Sequence, residues 1–174
     1  MKSQRFQLLT LVLIFIFIAC SPEDNTNTAP EDINEFVFNG NSYPLLSAII
    51  SNDNSSNTTE IRLFNKISSE ITSNSDLTDV DYVHFNINTE SLQNTTYNTF
   101  EDYNISINGS VIDSEFNPGT ILLASDHPEL DSYAASGSLS ITNFTPYNIV
   151  FTFTFTRNDG EVIIGRYDGN YYTP

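Results

Sequence analysis

The segment Ile149–Arg157 reads Ile-Val-Phe-Thr-Phe-Thr-Phe-Thr-Arg, and this alternation constrains the chain more than any other feature. Ile149, Phe151, Phe153 and Phe155 share one face of an extended backbone, and Val150, Thr152, Thr154 and Thr156 share the other. A period of two marks a strand with one face buried and one solvated. Such a strand needs partners, and the neighbouring sequence offers them. Gly137–Thr142 alternates in the same way, Asn158-Asp159-Gly160 supplies a tight turn, and Val162–Tyr167 returns as the next strand. The C-terminal third is therefore expected to be a three-stranded antiparallel meander.

The rest of the chain follows the same pattern. Phe36-Val37-Phe38, Asn39-Gly40 and Ser42-Tyr43 form a hairpin signature, because Asn-Gly tolerates the positive φ angles of a type I′ turn. Further strands are expected over Leu45–Ile50, Ile61–Phe64, Asp81–Asn88, Asn104–Ile107, Ser110–Phe116 and Thr120–Ala124. Residues 66–79 read as polar and irregular, Ser91–Tyr97 as a connection, and Asp126–Ala135 as a loop with room for a helical turn. Asn, Ser and Thr make up roughly a third of the chain, and their side chains compete with helical backbone bonding. No stretch carries a long helical period. The fold class is all-β: an antiparallel β-sandwich or β-barrel of about 8–10 strands, a lipocalin-like barrel being the alternative.

The N-terminus has a different logic. Lys2 and Arg5 precede an apolar run, Leu8–Ile18, that ends in Ala19-Cys20, and Cys20 is the single cysteine. A membrane-spanning helix needs about 20 apolar residues, and this run is roughly half that long. A basic start, a short apolar core and a small residue before the cleavage point make a signal peptide. Phe17-Ile18-Ala19-Cys20 resembles the lipobox of bacterial lipoproteins, with Phe17 at a position usually filled by Leu. The resemblance implies that residues 1–19 are removed and that Cys20 is lipidated with diacylglycerol and palmitate-type chains. Two or more such chains hold a protein stably on a membrane, at about 0.8 kcal/mol per buried methylene.

Residues 20–34 then form an acidic tether with almost nothing apolar, and residues 35–174 a single domain. Flexible-chain scaling gives the tether a reach of about 20 Å. Ser21-Pro22-Glu23-Asp24 resembles the surface-export signal of Bacteroidota lipoproteins. It implies an outer-membrane protein exposed at the cell surface, the periplasmic face being the alternative. The end of the chain is similar to that of small Bacteroidota surface lipoproteins of unknown function. The matching residues are Gly137-Ser138, Tyr147-Asn148-Ile149-Val150-Phe151, Asp159-Gly160 and Gly165-Arg166-Tyr167-Asp168-Gly169. This likeness implies an all-β fold and transfers no functional residue.

Charge and composition exclude several functions. The formal charge is −16, and −18 once Lys2 and Arg5 leave with the signal. Such a chain repels phosphate backbones, so nucleic acid is not an expected partner. With Cys20 acylated, no thiol remains for a disulfide, a thiolate ligand or a cysteine nucleophile. Stability must come from apolar burial, and the 13 Phe and 9 Tyr are the material for it, each ring covering about 150–250 Å².

The candidates for chemistry are few. His84 lies on a strand face with Tyr82 and Asn86, and His127 in the loop Asp126-His127-Pro128. No Gly-x-Ser-x-Gly elbow accompanies either, so no catalytic residue is assigned and the protein is read as non-enzymatic. Two distant histidines make no zinc site. Asp76, Asp79 and Asp81, and separately Asn52-Asp53-Asn54, offer oxygen ligands for loosely held calcium, but neither has the EF-hand pattern. They read better as solvated acidic loops, and no cofactor is expected. Tyr171-Tyr172, and Tyr97, Phe100 and Tyr103, are candidate aromatic platforms for a sugar or closures of the β core. The sequence points to a lipid-anchored envelope domain that binds a glycan, a macromolecule or a partner membrane protein. The alternative is a lipocalin-like carrier of a small apolar ligand.

Overall fold

The computed structural model describes residues 34–71, 73, 80–107, 110–112, 115–117, 123–125 and 132–174. The expected signal peptide, Cys20 and the expected tether apart from Asn34, together with Asp76, Asp79 and His127, lie outside the described residues. Among the described residues there are thirteen strands and one short helix. They run β1 (Glu35–Phe38), β2 (Asn41–Pro44), β3 (Ser47–Asp53), β4 (Thr58–Phe64), α1 (Ser68–Ile71), β5 (Tyr82–Ile87), β6 (Thr95–Tyr97) and β7 (Tyr103–Ile107). There follow β8 (Ser110–Ile112), β9 (Glu115–Asn117), β10 (Leu123–Ala124), β11 (Ala134–Phe144), β12 (Asn148–Arg157) and β13 (Val162–Tyr172). The fold is all-β, as the periodicity demands. The strands of four or more residues number nine.

Eleven strands join in one sheet in the order β10-β7-β5-β4-β3-β13-β12-β11-β6, with β1 and then β2 added along another part of β13. Strands β8 and β9 form a separate hairpin where the sequence suggested one strand over Ser110–Phe116. The sheet is mixed. Every pairing is antiparallel except β13–β3, which is parallel at Tyr171↔Ala48 and Tyr172↔Ile49. Strand β13 is the seam. Its first half lies between β12 and β1, and its last residues meet β3.

The sheet doubles over on itself. Three strands separate β5 from β12 in the hydrogen-bonded order, which would place them about 19 Å apart in a flat sheet. Yet the Phe85 ring on β5 lies 5.8, 5.3 and 6.2 Å from the rings of Phe151, Phe153 and Phe155 on β12. Two layers therefore face each other as in a sandwich, while one continuous sheet supplies both as in a barrel. The core between them takes Val83, Phe85 and Ile87 from β5, Ile61 and Leu63 from β4, and the four inward residues of β12, all fully buried. A smaller cluster of Ile49, Phe64, Ile71, Val80 and Tyr82 sits on the other face of β3–β5, with α1 contributing Ile71.

Local chemistry explains the turns and the packing. Asn39 and Gly40 both have positive φ, 51° and 72°, as a type I′ hairpin requires. Gly137 and Gly165 stand opposite Phe155 and Phe153 in the register. A Cβ at Gly165 would overlap the Phe153 ring, and one at Gly137 would overlap the ring of Phe155. The two glycines are thus gaps that large rings fill, which gives Gly137-Ser138 and Gly165-Arg166-Tyr167 a packing role. The Asn34 side chain brackets Asp168, donating to its carbonyl at 2.9 Å and accepting from its N–H at 2.7 Å, and so fixes where the chain enters the sheet.

Gly165→Ala should lower stability by about 1–3 kcal/mol, although alanine carries no backbone penalty in a strand. Thr154→Ala, on the exposed face of the neighbouring strand, should stay within about 0.5 kcal/mol. Chemical denaturation of both variants checks the contrast.

Candidate functional site

A groove opens where β3, β11 and β13 end. Two rings form one wall: Phe144, the last residue of β11, and Tyr171, next to last in β13. They stack with centroids 5.7 Å apart and planes 19° from parallel. Ile50 and Leu92 provide aliphatic surface, and Asn52, Ser91 and Thr173 provide polar groups. The groove holds about 120 Å³. Small-molecule pockets usually run about 300–1,000 Å³, so this one accommodates part of a ring and not a whole lipid or cofactor.

Each polar group is placed by the strand geometry. Ile50 and Asn52 point to the same side of β3 because they are two residues apart. Thr59 Oγ1 donates to Thr89 O at 2.8 Å and lies 3.1 Å from the Asn52 side-chain amide, which holds that amide at the groove. Tyr171 donates its hydroxyl to Thr145 O at 2.9 Å, and burial raises its phenol above the usual value, so it stays neutral. Among the described residues, no charged side chain lines the groove. A neutral lining with stacked rings, an amide and two hydroxyls suits an uncharged polar ligand whose C–H face can rest on an aromatic ring.

The two aromatic platforms expected from the sequence have different fates. Tyr97, Phe100 and Tyr103 turn inward. The Tyr103 ring is fully buried and lies 5.5 Å from Phe100, 6.2 Å from Phe155 and 6.4 Å from Tyr97. Burial, with Asp102 adding to it, pushes the Tyr103 phenol up to about 12. These rings close the core. Tyr171 and Tyr172 fall on opposite faces of β13, so Tyr171 enters the groove and Tyr172 stays on the outside, 46 % exposed. Phe144, Ser91, Leu92 and Thr173 were not singled out in the sequence. They come from segments more than a hundred residues apart from Ile50 at the extreme, and no local spacing signals their meeting.

His84 belongs to a polar cluster on the outer face of β4 and β5. Its Nε2 lies 3.7 Å from Glu60 Oε1, and Glu60 also pairs with Arg62. The facing His84 imidazole, aided by the Arg62 guanidinium and opposed by burial, lowers the Glu60 carboxyl from 4.5 to about 2. In the register His84 stands opposite Ser106 and Arg62. The Arg62 pairing engages Glu60 from the other side, so the arrangement is a cross-strand polar cluster on a half-buried sheet face.

The calcium candidates divide similarly. Asp53 folds its carboxylate onto its own turn, accepting from Ser55 N at 2.8 Å, Ser55 Oγ at 2.6 Å and Ser56 Oγ at 2.9 Å. These bonds, the Ser55 hydroxyl first, lower its carboxyl from 3.8 to about 2. Asp53 therefore shapes the β3–β4 turn. Asp81 accepts from Asn65 Nδ2 at 3.0 Å. Among the described residues, no three His, Cys, Asp or Glu side chains gather as a metal site would need. No helix among them is long and apolar enough to cross a membrane.

Comparison with known protein families, with curated protein sequences and with solved structures finds no match for this chain.

Because the Glu60 carboxyl is depressed in the folded state, its contribution to stability is complete above its unfolded value near 4.5 and drains away as pH falls toward about 2. Glu60→Gln should therefore be less stable than the parent at pH 6 and converge on it as the pH approaches 2. Denaturation midpoints of both proteins across that range measure the convergence.

Proposed function

We propose that this chain is a lipid-anchored, non-enzymatic binding domain of the bacterial outer membrane, facing the cell surface, and that its ligand is a neutral glycan. The observation that carries the reading is the uncharged groove at the strand ends, with its stacked Phe144 and Tyr171 rings beside Asn52. Sugar recognition combines a ring to stack on with amide and hydroxyl groups to orient the ligand, and the groove has each. Its size favours one terminal or branching residue of a larger glycan over a small free metabolite. The signal layout ending at Cys20 supports the anchor, and Ser21-Pro22-Glu23-Asp24 supports the outward face.

The carrier reading draws less support. A carrier needs interior space, whereas the described interior is occupied by rings at contact distance, Phe85 against Phe151, Phe153 and Phe155. A hydrolase would need a base in a cleft, and His84 lies on a sheet face with its neighbours engaged in ion pairing.

Three measurements test the proposal. Mass spectrometry of native protein should find Cys20 acylated at the N-terminus, and an unprocessed Met1 would refute the anchor. Protease treatment of intact cells should remove the domain, and full resistance would refute outward exposure. Neutral oligosaccharides titrated into the protein should shift the NMR signals of Asn52 and Tyr171. Asn52→Ala should then weaken binding about tenfold, the loss of one hydrogen bond to the ligand. Binding of a long-chain fatty acid with no response to sugars would favour the carrier instead.

A further inference from the structure

The end of the domain where the chain arrives from Cys20 is also where exposed aliphatic side chains gather. The Leu45 N–H donates to Asn34 O at 2.8 Å, and the next residue, Leu46, is 57 % exposed. Ser47 Oγ donates to Lys66 O at 2.6 Å, and the next residue after Lys66, Ile67, is 51 % exposed. Leu46, Lys66 and Ile67 thus flank one hydrogen bond, at the point where β3 begins and β4 has just ended. Two acids lie close by: Glu70 accepts from Ile67 N at 3.1 Å, which places its carboxylate at the edge of this patch, and Asp81 accepts from Asn65 Nδ2 at 3.0 Å. Lys66 is one of four basic residues that remain once the signal has gone.

We infer that this end of the domain rests on the bilayer that holds Cys20, with Leu46 and Ile67 in the boundary between headgroups and acyl chains and the Lys66 ammonium among the headgroups. The inference rests on the lipid-anchor reading. Thirteen residues lie between Cys20 and Asn34, and even fully extended this stretch spans at most about 50 Å. An anchored domain is therefore held at a high effective concentration beside the membrane, and a contact too weak for a free protein becomes populated. Interfacial side chains enter only about 5–10 Å, within reach of two aliphatic groups, while a lysine stem lies along apolar surface and keeps its charge in water. The formal charge of −18 that remains once Lys2 and Arg5 have gone disfavours an anionic bilayer, so the partner is a zwitterionic lipid surface.

The geometry also orients the site. Asn52 lies five residues along β3 from Ser47, about 17 Å at strand rise. The chain entry and the exposed aliphatics are at the start of this strand, and the groove runs from Tyr171, opposite Ala48, to Asn52 near its far end. A domain seated on Leu46 and Ile67 presents the Asn52 end of the groove away from its own membrane.

The test uses the full, natively acylated chain in phosphatidylcholine vesicles. With the Cys20 sulfur blocked by lipid, a cysteine introduced at Leu46→Cys, Ile67→Cys or Ser55→Cys is the one reactive thiol, and each is labelled with an environment-sensitive fluorophore. Labels at 46 and 67 should shift to the blue and be quenched by lipids with spin-labelled acyl chains, while the label at 55, in the β3–β4 turn at the groove end, stays water-like. Water-like emission at all three sites in protein that floats with the vesicles overturns the inference and leaves the anchor standing. Failure to float overturns the anchor and the inference with it. A blue shift that persists without vesicles and grows with protein concentration assigns the patch to a second copy and overturns the membrane contact. Quenching at 55 equal to that at 46 and 67 overturns the orientation.

Discussion

The contact of the Phe85 ring with the Phe151, Phe153 and Phe155 ladder is the interaction on which the rest of the structure depends. It is what folds an eleven-stranded sheet over, bringing β5 against β12 although three strands lie between them. A chain whose single cysteine lies outside the domain has no disulfide to impose that closure, so ring burial must do it. Around this contact the other rings are fitted in sequence: Tyr103 and Phe100 against Phe155, Tyr167 against Phe151, and glycines left empty where the largest rings cross. Close packing leaves little tolerance, since a single added methyl at such a crossing has no vacant volume to enter.

Closure by one continuous sheet gives β13 a second role. It carries the hydrogen bonds of the meander along most of its length, receives β1 beside Asn34, and passes into parallel pairing with β3 at its last two paired residues. The strand thus links the point where the chain enters to the point where the groove forms. Tyr171 reaches the groove because β13 continues past its meander partners, and Phe144 reaches it because β11 ends there. The proposed binding site is a consequence of where strands of unequal length stop.

The outer faces show a different economy of interactions. On β11 and β12 the pairs Ser138–Thr154 and Ser140–Thr152 meet across strands, with Thr96 Oγ1 and Ser140 Oγ 2.8 Å apart. On β4 and β5 the ion cluster of Glu60, Arg62 and His84 occupies the equivalent positions. Both are ways of keeping the solvent-facing positions of a sheet polar while still pairing their side chains.

Much of the fold was legible in the residues. The Asn39-Gly40 hairpin, the strand β5 with Val83, Phe85 and Ile87 inward, and the β11–β12–β13 meander all follow from local rules, because turn dihedrals and period-two burial are set by neighbours in the chain. The strand β6 was not legible. Thr95–Tyr97 was read as a connection, and it pairs with only three residues of β11. The short helix α1 was likewise hidden in a polar stretch, since four residues carry too little periodicity to register. Of the candidate site, Tyr171 was among the aromatic residues considered, and Asn52 was noted for calcium, a different chemistry from the one its place in the groove suggests.

By itself the sequence determined the all-β class, the turns, the inward face of each principal strand and the acidic, thiol-free character of the domain. These depend on interactions between residues a few positions apart, or on composition alone. Only the tertiary structure decided that one sheet would supply both layers, that β13 would run parallel to β3, that Tyr103 would be core and Tyr171 rim, and that Asn52, Phe144 and Thr173 would share a groove. Those outcomes rest on contacts between distant segments, and such contacts are chosen by how whole faces fill space together, which no local pattern of residues encodes.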